Sequence, residues 1–348
     1  MQKSLGPTDA KLGGVSRRGL LTAGAAAALT PWSWAQAQRT ERWPRAPVNL
    51  VVPFPAGGTS ALLAKQLKAP FERLTRQRLQ LQYFGGAGGM PGALYTAAAP
   101  ADGQHLCIGG NYMAIARALY PSDDFDFLQD LRPLAMVAEV PQVVVIHPQR
   151  MRVRTVHEWL NELGRKPARY RMATASVGSA SHLSAALLKH QSALNFDFVH
   201  FRGSGPALQD LLAGSVDMML DGLVSCLPHV RSGRLKALLV TGAQRVSALP
   251  DVPCAQELNL AALDDMYWYG LFAPRKIAPA TEQAVVQQLQ RLGEDAQLQA
   301  ALAASGLRWG NTYGDAFEAL VQQQTHAWAQ HLKRIGLDPL SVKSLEET

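Results

Sequence analysis

The sequence predicts an α/β protein built from mostly parallel sheets flanked by helices. Three observations support this prediction. Short apolar runs recur along the chain, several of them end in a turn rich in glycine or serine, and a segment with apolar residues at helical spacing follows these turns. Strands that alternate with helices in this way are typical of parallel strands joined by crossover connections. With 348 residues, the chain is long enough for two ordinary domains.

Four apolar runs in the first half of the chain predict strands. They span residues 48–52, 79–84, 106–109 and 142–148. Helices are predicted over 59–74 and 92–99, because apolar residues such as Leu63, Leu67 and Phe71 recur three to four positions apart. Pro70 lies inside the first of these helices and predicts a kink or a break there.

The second half repeats the alternation of strand and helix. Strands are predicted over 170–175, 197–201, 216–220, 235–241 and 268–274, and helices over 181–191, 207–213 and the segment beyond 274. A further helix ends near Gly164. Thr155 is its predicted N-cap, and Glu158, three residues on, completes a capping box.

Residues 1–37 have the features of an export signal. A polar, basic segment leads to Arg17 and Arg18, and an alanine-rich apolar stretch follows to about Leu29. The small residues of Ala35-Gln36-Ala37 predict cleavage after position 37. Paired arginines before two leucines resemble a twin-arginine signal, so we expect a periplasmic protein. The alternative is a disordered N-terminal extension.

Composition and charge exclude several classes of protein. An apolar fraction of 47% and a charged fraction of 18% fit a globular protein. The whole chain has a formal charge of +7, and four basic residues and one aspartate lie before the cleavage position, so the mature chain is near +4. No cluster of Lys and Arg resembles a nucleic-acid patch.

The three cysteines form no C-x-x-C pair. Cys226 and Cys254 could pair, but buried free thiols are expected.

Glycine- or serine-rich turns follow four of the predicted strands, at 55–60, 85–89, 176–181 and 202–206. Ligands of open α/β sheets bind at the carboxyl ends of the strands. The first turn of a helix leaves backbone N–H groups unpaired, and these favour an anion by about 0.3–1 kcal/mol each. Each turn alone is compatible with a purely geometric role. Several turns that face one cleft predict a site for a carboxylate or a phosphate.

Motifs for catalysis, nucleotides and metals are incomplete. The chain has no G-x-x-x-x-G-K-[ST] sequence and no G-x-S-x-G nucleophile elbow. Pro91 stands where the third glycine of the dinucleotide fingerprint would follow Gly86 and Gly88. Asn161 replaces the second histidine of an H-E-x-x-H zinc motif that starts at His157. We therefore expect no cofactor, no metal and no enzymatic activity.

A series of short motifs runs in order along residues 43–310. Its members are VVPFPAGG at 51–58, GAGG at 86–89, ADG at 101–103, DF at 124–125, SVGS and SHL within 176–183, RGS and PALQDLL within 202–212, GRL at 233–235, LPDVP at 249–253 and WYGL at 268–271. This ordered series resembles the Bug-type solute-binding proteins, which are the periplasmic receptors of tripartite tricarboxylate transporters.

The resemblance implies a two-lobe, type II-like Venus-flytrap fold. Residues 44–140 and 267–348 would form lobe 1, and residues 141–266 would form lobe 2. The implied protein is a monomeric receptor that captures a small organic acid between its lobes and delivers it to membrane transporter subunits. Alternatives are a ligand-sensing protein that serves a sensor kinase, an enzyme on the same scaffold and a module without a closed pocket. No nucleic acid is expected as a partner.

The turns and the resemblance together give the candidate ligand-binding residues. They are Phe54, Pro55, Ala56, Gly57, Gly58, Thr59, Ser60, Gly86, Ala87, Gly88, Asn111, Ser176, Val177, Gly178, Ser179, His182, Arg202, Gly203, Ser204 and Asp221. Relative to the family pattern, Ala61 replaces an aspartate, Gly85 a proline and Phe201 a tyrosine. The first and third departures predict a less polar or aromatic acid as the ligand.

Overall fold

The computed structural model describes residues 43–85, 89–119, 125–165, 169–260, 263 and 267–334. The predicted export signal and its cleavage position lie outside these ranges. So do the candidate residues Gly86, Ala87 and Gly88.

Ten strands and eleven α-helices lie within the described ranges. The strands are β1 (Val48–Val52), β2 (Leu79–Tyr83), β3 (His105–Gly110), β4 (Leu131–Val140), β5 (Gln142–Ile146), β6 (Arg171–Thr174), β7 (Asp197–His200), β8 (Met218–Gly222), β9 (Lys236–Val240) and β10 (Tyr267–Pro274). The helices are α1 (Thr59–Thr75), α2 (Met90–Ala98), α3 (Asn111–Leu119), α4 (Phe127–Asp130), α5 (Val156–Arg165), α6 (Ala180–Gln191), α7 (Ser204–Leu212), α8 (Leu223–Arg231), α9 (Pro279–Gly293), α10 (Ala296–Ala304) and α11 (Gly314–Arg334).

The strands form two five-stranded sheets, in the orders β2-β1-β3-β10-β4 and β7-β6-β8-β5-β9. Four strands of each sheet point the same way, and the fifth, β10 or β5, runs antiparallel to both neighbours. The α/β prediction with mostly parallel sheets is therefore confirmed, with one reversed strand in each sheet. Each reversed strand is the first one after the chain passes from one sheet to the other. The spacing of apolar residues along a strand does not show whether the strand runs parallel or antiparallel to its neighbours, so the sequence did not predict these two reversals.

The chain crosses between the sheets twice. The first crossing is a single residue, Pro141, between the end of β4 and the start of β5. The second runs from the end of β9 to the start of β10. At the first crossing, Gln142 accepts a hydrogen bond from the Ser184 hydroxyl (2.7 Å), and its backbone N–H donates to the Thr241 hydroxyl (2.9 Å). Ser184 also lies 2.5 Å from the Tyr267 hydroxyl, at the start of β10. Hydrogen bonds thus connect the two crossings.

Both faces of each sheet are buried. In β1, Leu50 and Val51 pack into different hydrophobic clusters, and Val144 and Val145 do the same in β5. A strand buried on both faces is a continuous apolar run rather than an alternating one, which is why these strands are clear in the sequence. Burying each such side chain contributes about 1.5–3 kcal/mol to folding.

None of the described helices combines the length and the apolar composition that crossing a membrane requires.

Two helix predictions need correction. Helix α1 continues through Pro70 to Thr75, so the predicted break is absent, and buried Leu63, Leu67 and Phe71 hold both halves of the helix against the core. At α5, the Thr155 hydroxyl accepts the Glu158 N–H (3.1 Å), as predicted. The Glu158 carboxylate, however, accepts the backbone N–H of Arg154 (2.7 Å) rather than that of Thr155.

The C-terminal helices are attached to the first sheet through Arg132 of β4. Its guanidinium donates to Glu282 of α9 (2.9 Å) and pairs with Asp315 and Glu318 of α11. Only 13% of the Arg132 side chain is exposed, so these ion pairs are less screened than ordinary surface pairs. Elsewhere, Cys107, Cys226 and Cys254 are buried, free thiols.

Candidate functional site

A crevice lies where loops from the two sheets meet. It contains about 380 Å³ of empty space, a figure that includes open solvent at its mouth. Elements of the first sheet contribute Phe54, Gly58, Thr59, Ser60, Tyr112 and Tyr269. Elements of the second contribute Ala175, Ser179, Ala180, Ser181, Ser204 and Asp221.

The N-terminus of α1 points unpaired donors at this crevice. Its N-cap residue is Gly58, which offers no side-chain cap, and the first intrahelical bond runs from Leu62 N–H to Gly58 O (3.0 Å). Within the described part of the chain, the N–H groups of Thr59, Ser60 and Ala61 have no hydrogen-bond partner. All three residues are buried. Unpaired amides at a buried helix N-terminus favour a negatively charged group.

The Thr59 hydroxyl adds a fourth donor at the same place. Thr59 is 4% exposed, and its Oγ1 atom is buried without a hydrogen-bond partner. The Thr59 side chain packs against Gly222 of the second sheet. A Cβ atom added to Gly222 would lie only 2.2 Å from Thr59 Oγ1. A buried hydroxyl without a hydrogen-bond partner lowers the free energy of unfolding by about 1–3 kcal/mol. The position of this hydroxyl beside three free amides fits a ligand group that accepts hydrogen bonds from all four donors.

The loop before α6 is different, because its donors are largely used within the loop. The Ser179 hydroxyl donates to Ser176 O (2.7 Å) and accepts the N–H groups of Ser176 (3.2 Å) and His182 (3.3 Å). Gly178, at φ +70°, donates its N–H to Nδ1 of His182 (3.1 Å). Most donors of this loop are therefore not free for a ligand, because serine and histidine side chains cap it.

Two donors of the α6 loop do remain free. Ser181 Oγ accepts the Ala175 N–H (2.8 Å), but the N–H groups of Ala180 and Ser181 have no partner among the described residues. Both residues line the crevice. The second sheet thus adds a smaller set of donors than α1 does.

His182 supports the α6 loop and does not line the crevice. Its ring packs edge-on against Phe198 (5.0 Å between centroids) and His200 (4.8 Å). Burial, with a smaller effect from His200, lowers the pKa of His182 to about 3. The ring is therefore neutral at neutral pH, and Nδ1 stays an acceptor for Gly178 rather than becoming a cation for a ligand.

Loops of the two sheets touch directly beside the crevice. A Cβ added at Gly205 would lie 2.9 Å from the carbonyl oxygen of Ala56, and one at Gly203 would lie 2.7 Å from Pro55 Cγ. Gly203 is the N-cap of α7 at φ +130° and provides no side-chain cap. Glycines at these positions permit the close approach of the loops.

Asp221 is the acidic residue of the crevice. It is 5% exposed, and its two carboxylate oxygens accept hydrogen bonds from the hydroxyls of Ser204 (2.9 Å) and Ser225 (2.8 Å). Among the described residues, no Lys, Arg or His forms an ion pair with it. Burial raises the pKa of Asp221, and the serine hydroxyls offset part of the rise.

Aromatic side chains form the apolar wall of the crevice. Phe54 packs edge-on against Tyr112, with centroids 5.1 Å apart. The Tyr112 hydroxyl donates to Ile108 O (3.0 Å) and is thereby turned into the protein. Tyr269 of β10 lines the same space, and burial raises its pKa, so it stays neutral. No three His, Cys, Asp or Glu side chains in the described ranges are grouped as metal ligands.

A crevice between two α/β sheets, lined by helix N-termini with unpaired amides, is also what known proteins with a similar sequence lead one to expect. The model for the tripartite tricarboxylate transporter family receptor matches residues 63–337, most of the chain. The chain belongs to this family of receptors. A protein encoded in the tcbD–tcbE intergenic region of Pseudomonas sp. (strain P51) is 31% identical over 91% of this chain and 94% of its own. BugT of Bordetella pertussis is 27% identical, over 85% and 91%.

Solved structures of such receptors share the fold. MatC from Rhodopseudomonas palustris, with bound malate, has a TM-score of 0.77 at 28% identity and covers 83% of this chain and 100% of its own. Rpa4515 of the same species, with adipate, has a TM-score of 0.80 at 26% identity and covers 86% and 100%. The predicted two-lobe binding-protein fold and the Bug-type resemblance are therefore confirmed, and the family is one of solute-binding receptors.

The receptor fold brings together many of the candidate residues. Those in the lining are Phe54, Gly58, Thr59, Ser60, Ser179, Ser204 and Asp221. Others lie beside the lining, in the loops that support it or, for His182, in the first turn of α6. These are Pro55, Ala56, Gly57, Ser176, Val177, Gly178, His182 and Gly203. Their role in ligand binding stays a prediction.

Asn111 and Arg202 lie outside the lining. The Asn111 side chain accepts the Trp268 N–H (2.7 Å) and donates to Gln324 (2.8 Å), so it ties β10 to α11. Its polar atoms are used within the fold, and its role in ligand binding stays a prediction. Arg202 is exposed and is likewise not part of the lining.

Sequence reasoning missed five lining residues. They are Tyr112, Ala175, Ala180, Ser181 and Tyr269. The sequence could have predicted Ala180 and Ser181 as lining residues, because they lie within the predicted 176–181 turn. Tyr112 is the second residue after β3, and the carboxyl end of that strand was the available signal. Tyr269 lies within β10, and only the pairing of that strand in the middle of the first sheet brings it to the crevice.

Proposed function

We propose that this receptor captures a small carboxylate-bearing molecule in the crevice and delivers it for uptake by a tripartite tricarboxylate-type transporter. The observation that carries the proposal is the buried N-terminus of α1, where three free amides and the unpaired Thr59 hydroxyl converge. Malate and adipate in the two related structures support a carboxylate as the shared chemical group.

Backbone donors suffice for this task without a cationic side chain. A helix N-terminus stabilises an anion by about 0.3–1 kcal/mol, and by up to about 2 kcal/mol in partly buried geometry. Helix α7 also enters the crevice, with the Ser204 and Gly205 amides unpaired among the described residues. Helix ends from both sheets would therefore hold the carboxylate between them.

The sheet topology supports the proposed lobes. Residues 44–140 and 267–348 would form lobe 1, and residues 141–266 lobe 2, with the two crossings as the hinge. A ligand that binds loops of both lobes favours their closed arrangement, because it contacts both only when they are together. We further propose that the receptor acts as a monomer. A second function as the sensor partner of a kinase stays a prediction.

Residues 1–37 would direct export to the periplasm by the twin-arginine route. The paired Arg17 and Arg18 support this part of the proposal. Replacing both with lysine should leave the precursor in the cytoplasm, whereas the unchanged chain should reach the periplasm with Gln38 as its first residue. Cell fractionation and mass spectrometry of the N-terminus measure this. Periplasmic processing of the double-lysine variant would exclude the route.

Calorimetry with matched ligands tests the binding function. We expect one or more of malate, succinate, adipate, aspartate, nicotinate and benzoate to bind, and the amide of the best ligand to bind at least tenfold more weakly. A ligand at 100 times its Kd should also stabilise the protein by about 2.7 kcal/mol in a thermal melt. Equal binding of acid and amide would contradict carboxylate recognition. Chemical conversion of the bound acid would support the enzyme alternative instead.

A further inference from the structure

Asp221 lies beside the donors of the α1 N-terminus. Its neighbour in the chain, Gly222, packs against the Thr59 hydroxyl. The Ser204 hydroxyl donates to Asp221 (2.9 Å), and a Cβ atom added to Gly58, the N-cap of α1, would lie 3.4 Å from Ser204 Cβ. Asp221 and the α1 N-terminus also line the same crevice. A carboxylate held by the α1 amides would therefore share this space with the carboxylate of Asp221.

The side chains around Asp221 bring no positive charge to it. Across the strand pairing, its partner on β5 is the apolar Val143. Burial raises the pKa of Cys226 and of Tyr269, so both stay neutral. Within the described ranges, the polar and titratable side chains close to Asp221 are therefore uncharged. They are Thr59 of α1, Ser204 of α7, Ser225 and Cys226 of α8, and Tyr269 of β10.

Basic side chains on the elements that surround Asp221 do not compensate its charge. In the part of the chain that the structure describes, none of them is hydrogen-bonded to it, and His182 of α6 is neutral. Several of the others are exposed, and the rest have partners of their own. The exposed ones are Lys65, His190 and Arg202, and those with other partners are Arg171, Lys189 and His229.

Two adjacent carboxylates without a cation do not both stay ionised at low cost. Burial already raises the pKa of Asp221 in the ligand-free protein, and the hydroxyls of Ser225 and Ser204 offset only part of the rise. The negative charge of a bound carboxylate raises this pKa further, because a like charge disfavours ionisation. Once protonated, the Asp221 carboxyl becomes an O–H donor beside the α1 amides.

We propose that Asp221 becomes protonated as the ligand binds and that its carboxyl O–H donates to the ligand carboxylate. The proton comes from solvent, and the two carboxyl groups together then carry a single negative charge. The inference rests on the proposed function, because it places the ligand carboxylate at the α1 amides. Since the complex has the higher Asp221 pKa, affinity is greatest below the pKa of the free receptor. It falls as the pH rises from that value towards the pKa in the complex.

Calorimetry in pairs of buffers with different ionisation enthalpies measures the proton uptake on binding. The probes are malate, succinate, adipate, aspartate, nicotinate and benzoate, between about pH 7 and pH 9, where their carboxyl groups are almost fully ionised in solution. For the probe that binds most tightly, uptake should reach at least about 0.5 proton within this range, and its Kd should rise at least about fivefold from the lower to the higher pH.

Asp221→Asn replaces the carboxyl group with an amide that does not titrate but still donates an N–H to the ligand. Proton uptake should fall below about 0.1, and the Kd should change less than about twofold over the same pH range. At the highest pH, this variant should bind at least as tightly as the unchanged protein. Asp217→Asn is the control and should keep the uptake, because Asp217 is equally buried but pairs with Arg150 at the other end of β8.

Ser225→Ala provides a second readout if Asp221→Asn folds poorly. The Ser225 hydroxyl stabilises the ionised form of Asp221 (2.8 Å), so its loss should raise the pKa of Asp221 in the free receptor. The pH above which affinity begins to fall should therefore move upwards.

The outcomes separate the two proposals. Uptake that stays below about 0.5 proton in the unchanged protein, or uptake that persists in Asp221→Asn, overturns the shared proton and leaves carboxylate capture intact. Loss of binding at every pH in a folded Asp221→Asn protein also overturns it, because Asp221 would then accept a donor from the ligand. If none of the acids binds at any pH, carboxylate capture itself fails.

Discussion

Replacing Gly205 with alanine should weaken ligand binding about 5- to 150-fold. The new Cβ would lie 2.9 Å from the backbone oxygen of Ala56, across the contact between the two sheets. Such an overlap in packed structure costs about 1–3 kcal/mol, and opening the lobes relieves it. Gly205 is not at positive φ, but it lies within α7 directly before Pro206, and the proline ring disfavours a residue with a Cβ atom in the helical region, so alanine has a second cost that is present with or without ligand. Calorimetry for Kd and thermal melting for stability measure the two effects.

Gly164→Ala is the matched control for this variant. Gly164 also lies within a helix, α5, and an added Cβ there meets nothing within 4 Å. It should leave the Kd unchanged. If Gly205→Ala binds ligand as tightly as the unchanged protein, the closed contact at Ala56 is not part of the bound state.

Replacing Thr59 with valine should change stability and binding in opposite directions. Valine keeps the shape of threonine but removes a hydroxyl that is buried without a partner, so the free energy of unfolding without ligand should rise by about 1 kcal/mol. The ligand carboxylate should lose one donor, and its affinity should fall about tenfold. Denaturant unfolding and calorimetry on the same preparations measure the two quantities.

Thr59→Ser keeps the hydroxyl and should bind nearly as well as the unchanged protein. Thr75→Val provides a second control in the same helix, because the Thr75 hydroxyl donates to Phe71 O (2.8 Å) and its loss should not affect binding. A valine at position 59 that lowers the stability of the ligand-free protein would show that the hydroxyl has a partner within the fold.

Local signals in the sequence were sufficient for most strands and for the loops that follow them. β1 was predicted over the residues that form it, because an apolar run that only Asn49 interrupts ends at Pro53. The 55–60 and 202–206 turns also lie at the crevice or beside it. These features depend on near neighbours in the chain, which a single sequence contains.

The missed elements depend on distant partners. β4 was not predicted, because Arg132, Pro133 and Glu139 interrupt its apolar pattern. The structure accommodates Arg132 through Glu282 and Glu318, which lie about 150 residues or more further along the chain. The capped loop before α6 was misjudged for a related reason. The number of amides that Ser179 and His182 occupy follows from side-chain geometry, which spacing along the chain does not give.

A link of one residue between the sheets limits how this receptor can move. Pro141 cannot lengthen, so the two halves can turn about it but cannot slide apart there. Gln142 follows this link directly and is held by Thr241 and Ser184. Substitutions beside the link should therefore alter how easily the two halves turn, while substitutions at Ala56 or Gly205 should alter the contact that forms when the halves meet. The same chain thus offers two separate places at which ligand affinity can be adjusted.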